Sequence, residues 1–496
     1  MKFKRSCGIL LHPTSLPGRF GIGDMGPEAY KFIDILVASG QKLWQILPLN
    51  YPGYGNSPYN PISAFAGNPY LISPDKLVEK GYLCMKDIEN QPAFDYHKVV
   101  FYKVIEYKDS LFKKAYQNFK DRAPHKRLSD FDVFCYKNAS WLDDFSLFAA
   151  IRAENNFKSW NAWDKDVRMR KEKALILCRN ILAEQIRYYK FVQYLFYTQW
   201  LELINYAHVM NVQIVGDISI FVSYDSADAW VHQNLFYLDE SGNPAVISGV
   251  PPDEFSEEGQ LWGNPLYNWD KMKQNDYLWW QERISHLLSF VDYIRIDHFI
   301  GFIRYWKVKP GSKTAQKGDW GRGPDAHFFS TIKKYLGELP IIAEDLGIII
   351  PRVNELRDEF GFPGMKILQY SFAEHDQRPH EFEKNSITYP GTHDNDTIKT
   401  WFENLKKYEP GIYETLIKYI EYDMDESICW QMIECAYSTP SNWAIIQFQD
   451  ILCLGAEARM NRPGTIEDNW VWRFTWDMVA DNVIQKLREL VEKYKG

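Results

Sequence analysis

Apolar residues in this chain gather into short runs, and between the runs they fall at helical spacing. The first two runs are Cys7 to Leu11 and Leu43 to Leu49. Between them a helix is expected, with Pro27 in its first turn, an apolar stripe of Tyr30, Phe32, Ile33, Leu36 and Val37, and Gly40 at its end. Val212 to Ile218 is a third run. A helix near Tyr277 to Leu288 leads to a fourth at Val291, and a fifth ends at Glu344. The sixth spans Met365 to Tyr370, the seventh ends before His393, and the eighth is Trp443 to Phe448. A last helix from Val479 to Tyr494 carries Val479, Val483, Ile484, Leu487, Leu490 and Val491 on one side. Strands that are apolar throughout and alternate with helices form parallel sheets covered on both faces. Eight of them predict an α/β fold, a (β/α)8 TIM barrel, with no strand left for a C-terminal β-sandwich domain.

Three segments depart from the rhythm. Tyr51 to Pro74 is dense in Gly, Pro, Asn and Ser and holds four tyrosines, which predicts a structured loop completing the part of the barrel formed by residues 1–74. Residues 75–210 are charged, aromatic and helical by pattern, with Phe191, Leu195, Trp200, Leu201 and Ile204 on one long amphipathic helix. They are expected to form an inserted, mainly helical subdomain, after which 211–496 complete the barrel. Residues 238–270 are a Gly/Pro-rich connection too long to be idle in a compact domain. Gly249-Val250-Pro251-Pro252 and Gly259 would let a lid loop form over 249–262, and Trp262 offers a flat face there.

Charge sharpens the picture where the strands end. The fourth run closes on Arg295, Asp297 and His298, the fifth on Glu344 and Asp345, and the seventh on His393 and Asp394. Arg295 and Asp297 are two apart, so on a strand they project to the same side. A guanidinium there favours the ionised carboxylate, as a glycosidase-type nucleophile requires. Taken alone, the pair could equally cap a strand. Three acids at three strand ends instead converge on one pocket once the sheet closes, because barrel sites lie at the carboxyl face.

These residues carry a resemblance. Arg295-x-Asp297-His298, Glu344-Asp345 and His393-Asp394 resemble, in order, the motifs of the α-amylase clan of retaining α-glycosidases. Ile9 to Pro17, Asn56-Ser57-Pro58-Tyr59, Gly216 to Val222, Gly249 to Asp253, Gln260 to Pro265 and Ala458 to Thr465 narrow it. Together they resemble the 4-α-glucanotransferase family (amylomaltase or disproportionating enzyme, glycoside hydrolase family 77) over nearly the whole chain. The resemblance implies a retaining transfer of an α-1,4-glucan segment, through a covalent glycosyl-enzyme, to a 4-hydroxyl of glucose or another glucan. The same transfer within one chain would give cyclic glucans. Asp297 would be the nucleophile, Glu344 the acid/base and Asp394 the ligand of the distorted sugar's hydroxyls. Arg295 and His393 would hold the same ring and Tyr59 would stack on it. Asp217, His298, Asn461 and Ser57 would be further substrate ligands. Asp253, Gln260 and Trp262 would serve the acceptor side, and Tyr54 a second glucan site. Tyr59 packing its own loop, His298 as a core histidine and Trp262 as a loop anchor are the plainer readings.

Composition limits the partners. The net charge of −8 argues against nucleic acid, and no apolar run is long enough to span a membrane. Aromatics make up 16% of the chain, with 18 Trp and 31 Tyr, which suits sugar rings with apolar faces but also suits a large core. The seven cysteines are scattered, which predicts reduced thiols in a cytoplasmic enzyme. The histidines lack metal-ligand spacing, so neither a metal nor another cofactor is expected. Two rivals stay open: a retaining α-1,4-glucan hydrolase with the same acids, and a binding protein on a decayed barrel, which would have lost at least one acid.

Overall fold

The computed structural model describes residues 3–252, 256–347 and 350–494. Eight strands form one sheet: β1 (Ser6–Leu10), β2 (Leu43–Gln45), β3 (Gln213–Ser219), β4 (Tyr293–Asp297), β5 (Ile341–Ala343), β6 (Gly364–Ile367), β7 (Ser386–Tyr389) and β8 (Trp443–Gln447). Their order is β6-β7-β8-β1-β2-β3-β4-β5, and every pair is parallel. The ring closes between β5 and β6, where the Ala343 N–H donates to Pro363 O (3.0 Å) and the Asp345 carboxylate accepts from the Met365 N–H (2.8 Å). A buried acid thus supplies a rung that backbone supplies elsewhere. Arg357 holds that acid at 2.5 Å, and a Cβ on Gly364 would lie 2.3 Å from its oxygen. Gly8 likewise lets β1 approach β2, since a Cβ there would meet that of Leu43 at 2.5 Å. This is a TIM barrel, and among the described residues no β-sandwich follows β8.

The apolar runs predicted these strands because both faces of each are covered: β8 is buried at every position, and β1 at all but its first. Two runs extend well past their ladders. β2 stops at Gln45, though Ile46 to Leu49 stay buried, and Leu368–Tyr370 after β6 is a turn of 3-10 helix. The segment 75–210 is helical, with Phe101–Arg122, His125–Lys137, Ala139–Glu154 and Ala183–Val209 as its long members. The last of these reaches into two environments. Its first half packs Phe191 against Phe119 (ring centroids 4.7 Å apart), whereas farther on Trp200 donates to Phe290 O (3.1 Å) and Tyr206 to Asp34 (2.6 Å) on the barrel's flank.

The stretch expected as a lid loop, 249–262, begins and ends in strand. Ile247–Val250 and Gln260–Pro265 pair as a hairpin, and Ile247–Val250 also pairs with Arg304–Val308, which pairs in turn with Gly318–Arg322. The result is a four-stranded antiparallel sheet beside the barrel. Asp253, between these two strands in the sequence, lies outside the described residues.

Candidate active site

Strand register brings the predicted acids together. β3 and β4 pair with Asp217 opposite Arg295 and Ser219 opposite Asp297. At the end of β4, Glu344 is tied on through its N–H to Ile296 O (3.1 Å) and its carbonyl to the Phe299 N–H (3.1 Å). Arg295 is buried and divides its guanidinium between two acids, reaching Asp217 at 2.7 Å and Asp297 at 2.9 Å. The Asp217 side chain is wholly enclosed and also accepts from the Tyr59 hydroxyl (2.7 Å) and the Ile218 N–H (2.9 Å). Burial, aided by the Asp217 charge, keeps that hydroxyl protonated, so Tyr59 donates.

Glu344 meets a different environment. Burial raises its carboxyl from the ordinary value to about 8, and the charge of Asp297 adds to the rise, while Arg295 and the His298 N–H oppose it. The N–H of His298 reaches Glu344 at 2.6 Å because His298 adopts the left-handed conformation (φ 55°), turning the chain as β4 ends. Its imidazole is pushed down to about 4 by burial, against the pull of Asp297, and is therefore neutral. Trp262 packs edge-on against His298, with ring centroids 4.8 Å apart, and donates to Gln260 at 3.2 Å. These two belong to the edge strand of the antiparallel sheet, and that strand delivers them to the barrel mouth.

The third acid is held from the β8 side. Asn461 donates to the Asp394 carboxylate (2.6 Å), and its N–H donates to His393 O (3.0 Å). Arg459 ties the same loops: it donates to Asp394 O (2.7 Å) and to Asn461 O (2.9 Å), and it pairs with Asp396. The buried His393 lies flat on Tyr59 (5.3 Å, 6° between planes), and Trp470 leans on both rings. His12, just past β1, is buried beside them; burial, aided by His393, pushes its pKa down to about 3. Both histidines leave Nδ1 without a protein partner among the described residues.

The Tyr59 loop is braced by the long helix. Gln193 accepts from the Gly67 N–H (2.7 Å) and donates to its carbonyl (2.9 Å), and Gln199 treats Ser73 in the same way. Ser57 accepts from the Tyr59 N–H (3.2 Å), so its contact here is within the loop. Tyr54 stands at the surface, 76% exposed. Asp297, Glu344, Asp394, Arg295, His393, Tyr59, Asp217, His298 and Asn461 therefore share one site, with Trp262 and Gln260 at its edge. Sequence reasoning passed over His12, Arg459 and Trp470. The first two stand inside quoted motifs, but nothing in their spelling says that they face the acids, and Trp470 carried no signal until its ring was placed.

The arrangement offers one carboxyl group paired with a fixed cation beside a second that keeps its proton, in a mouth lined by flat rings. The site can therefore attack at one side of a bond while protonating the other. Among the described residues no cluster of His, Cys, Asp and Glu could hold a metal, and no helix is long and apolar enough to cross a membrane. The family model for 4-alpha-glucanotransferase matches residues 11–479. The 4-alpha-glucanotransferase of Synechocystis is 43% identical over 99% of this chain and 98% of its own, and that of Thermus thermophilus 40% over 99% of each. The amylomaltase of Streptococcus agalactiae, solved in complex with acarbose, superposes with a TM-score of 0.95 at 41% identity, covering 99% of both chains. A parallel barrel closing on this acid cluster, matched end to end by such relatives, places the chain in the 4-alpha-glucanotransferase family of glycosyltransferases.

Proposed function

We propose that the enzyme works by retaining double displacement on α-1,4-glucans, with Asp297 as nucleophile and Glu344 as acid/base. The contrast between the two carboxyls carries this reading: Asp297 is paired with a permanent cation at 2.9 Å, whereas Glu344 is raised to about 8 and keeps its proton near neutrality. In the first step an Asp297 oxygen attacks the anomeric carbon. The glycosidic bond breaks, and the proton of Glu344 goes to the departing 4-oxygen. In the second, Glu344, now a carboxylate, takes the proton of an incoming 4-hydroxyl as that oxygen displaces Asp297. Asp394 and His393 hold hydroxyls of the reacting ring, and Tyr59 stacks on it. Asp217 acts chiefly by fixing Arg295 and Tyr59. Its burial makes a direct sugar contact a lesser part of its role.

The acceptor is glucose or the end of another maltooligosaccharide. Water at about 55 M competes with a millimolar sugar, so acceptor binding and water exclusion must together contribute roughly 10⁴-fold, near 5.5 kcal/mol. Trp262 and Gln260 are the residues placed to do so. The helical segment 75–210 is read as a subdomain inserted into the barrel, and the scattered cysteines favour a cytoplasmic setting.

Incubation with maltotriose tests the reading. Transfer gives glucose and a ladder of longer maltodextrins, with little change in total reducing ends. A steady rise in reducing ends, with only maltose and glucose formed, would make the enzyme a hydrolase.

A further inference from the structure

A cavity lies away from the acids. It is a groove of about 720 Å³ between the antiparallel sheet and the segments around Tyr237 and Trp269–Gln274. Its far wall is the strand Gly318–Arg322, at the opposite edge of the sheet from the strand that carries Trp262. Three strand spacings separate these edges, roughly 14 Å at about 4.8 Å each. No residue of the acid cluster lines the groove.

The lining is that of a polyol site. Tyr305 and Trp269 are buried and give an aromatic floor. Trp320 is 40% exposed at the wall, and the Arg304 guanidinium lies 4.0 Å from its ring centroid, steadying it. A Cβ on Gly321 would strike the Tyr305 ring at 2.4 Å, so the wall strand sits close on the aromatic floor. Asp270 lies close enough to Tyr237, Tyr277 and Tyr305 for its charge to act on all three hydroxyls. Lys273, Lys307 and Arg322 add donors around the opening. Acceptors and donors set round an aromatic floor match sugar hydroxyls, which both give and take hydrogen bonds, and sugar C–H faces, which pack on rings. Sugar hydroxyls can use the Asp270 acceptor and the cationic donors together, whereas an anion would use the donors alone, so phosphate is the control ligand.

We infer that this groove is an accessory binding site for a segment of α-1,4-glucan, serving donors too long for the catalytic mouth alone. The inference rests on the substrate class proposed above. A long glucan seated in the groove has its effective concentration at the acids raised, whereas maltotriose cannot span the two places.

The test compares Trp320→Ala and Asp270→Ala with the parent enzyme on amylose and on maltotriose. Asp270 is exposed, so that variant keeps the test alive should loss of Trp320 disturb the sheet. Both variants are expected to raise KM for amylose by about 5-fold or more, by analogy with the loss of a stacking surface elsewhere. Maltotriose kcat and KM stay at the parent values. In an Asp297→Asn background, titration with maltoheptaose should count two sites, falling to one when Trp320→Ala is added. An unchanged amylose KM in both variants, or an equal rise on both substrates, overturns the proposal. Titration with inorganic phosphate is the control. Binding of phosphate that both variants abolish, with one glucan site throughout, would assign the groove to an anion and also overturn it. If the parent enzyme fails to disproportionate maltotriose, the substrate reading itself has failed, which is a separate outcome.

Discussion

Asp297 and Glu344 end neighbouring strands, yet their carboxyls meet opposite surroundings. One is paired with Arg295; the other accepts from the His298 and Leu346 N–H groups and lies near a second negative charge. A pH prediction follows from the sign of the Glu344 shift. Its raised value of about 8 means that the acid is protonated at neutral pH and loses its proton as pH rises through 8. kcat/KM on maltotriose should therefore be flat through neutrality and fall about tenfold per pH unit above 8, because kcat/KM reports the free enzyme. An α-glucosyl fluoride needs little protonation to leave, so its fluoride-release rate should lack that fall. A limb shared by both donors would move the titration away from Glu344. The acids were legible at this scale, since each stands at the end of an apolar run. Their differing environments were legible only in part: Arg295 beside Asp297 shows in the spelling, but the His298 N–H on Glu344 depends on a left-handed residue that no pattern announced.

Elements bring these residues within reach of one another, and the antiparallel sheet was the element least visible in the chain. Arg304–Val308 mixes basic and aromatic residues, and Gly318–Arg322 holds two glycines, so neither reads as a strand. That sheet carries Trp262 to His298. If Trp262 is the acceptor platform, Trp262→Ala should raise the ratio of hydrolysis to transfer about 5- to 100-fold, with excess glucose partly restoring transfer. Free reducing ends and transfer products measured in one digest decide it. If both fall together with no change in ratio, Trp262 only packs the strand. Arg459 is the corresponding tether on the other side of the mouth, bonding the loops after β7 and β8 to each other. Arg459→Ala should lower kcat on maltotriose by roughly 10²-fold, as expected when reacting groups shift by about an ångström. The melting midpoint should stay within a few degrees, since the tether lies at the mouth and not in the core. A loss of activity that only parallels a loss of folded protein would make Arg459 a structural residue.

In the whole molecule, the barrel closes where Asp345 replaces a backbone rung, and the acid/base is the residue just before it. Asp345→Ala would leave the Met365 N–H and much of the Arg357 guanidinium buried without their partner. The expected loss is about 3–5 kcal/mol, read as a lower urea midpoint. A midpoint within error of the parent would mean that β5 and β6 hold together without it. The barrel was readable in outline because apolar runs mark strands covered on both faces. Ladder ends were not, because Leu47 to Leu49 remain buried after the last backbone bond to β3 and burial is what the pattern reports. How the long helix divides its length between the other helices and the barrel's flank was equally hidden, since one apolar stripe serves both. Double displacement requires one particular carboxylate, that of Asp297, to become bonded to sugar. The direct measurement is a mass spectrum of Glu344→Gln after reaction with α-glucosyl fluoride and no acceptor. The fluoride leaves without an acid, and the intermediate then lacks a base to clear it. One glucosyl group is expected on the peptide bearing Asp297; a glucosyl group on Asp394, or on any other residue, would rule out Asp297 as the nucleophile.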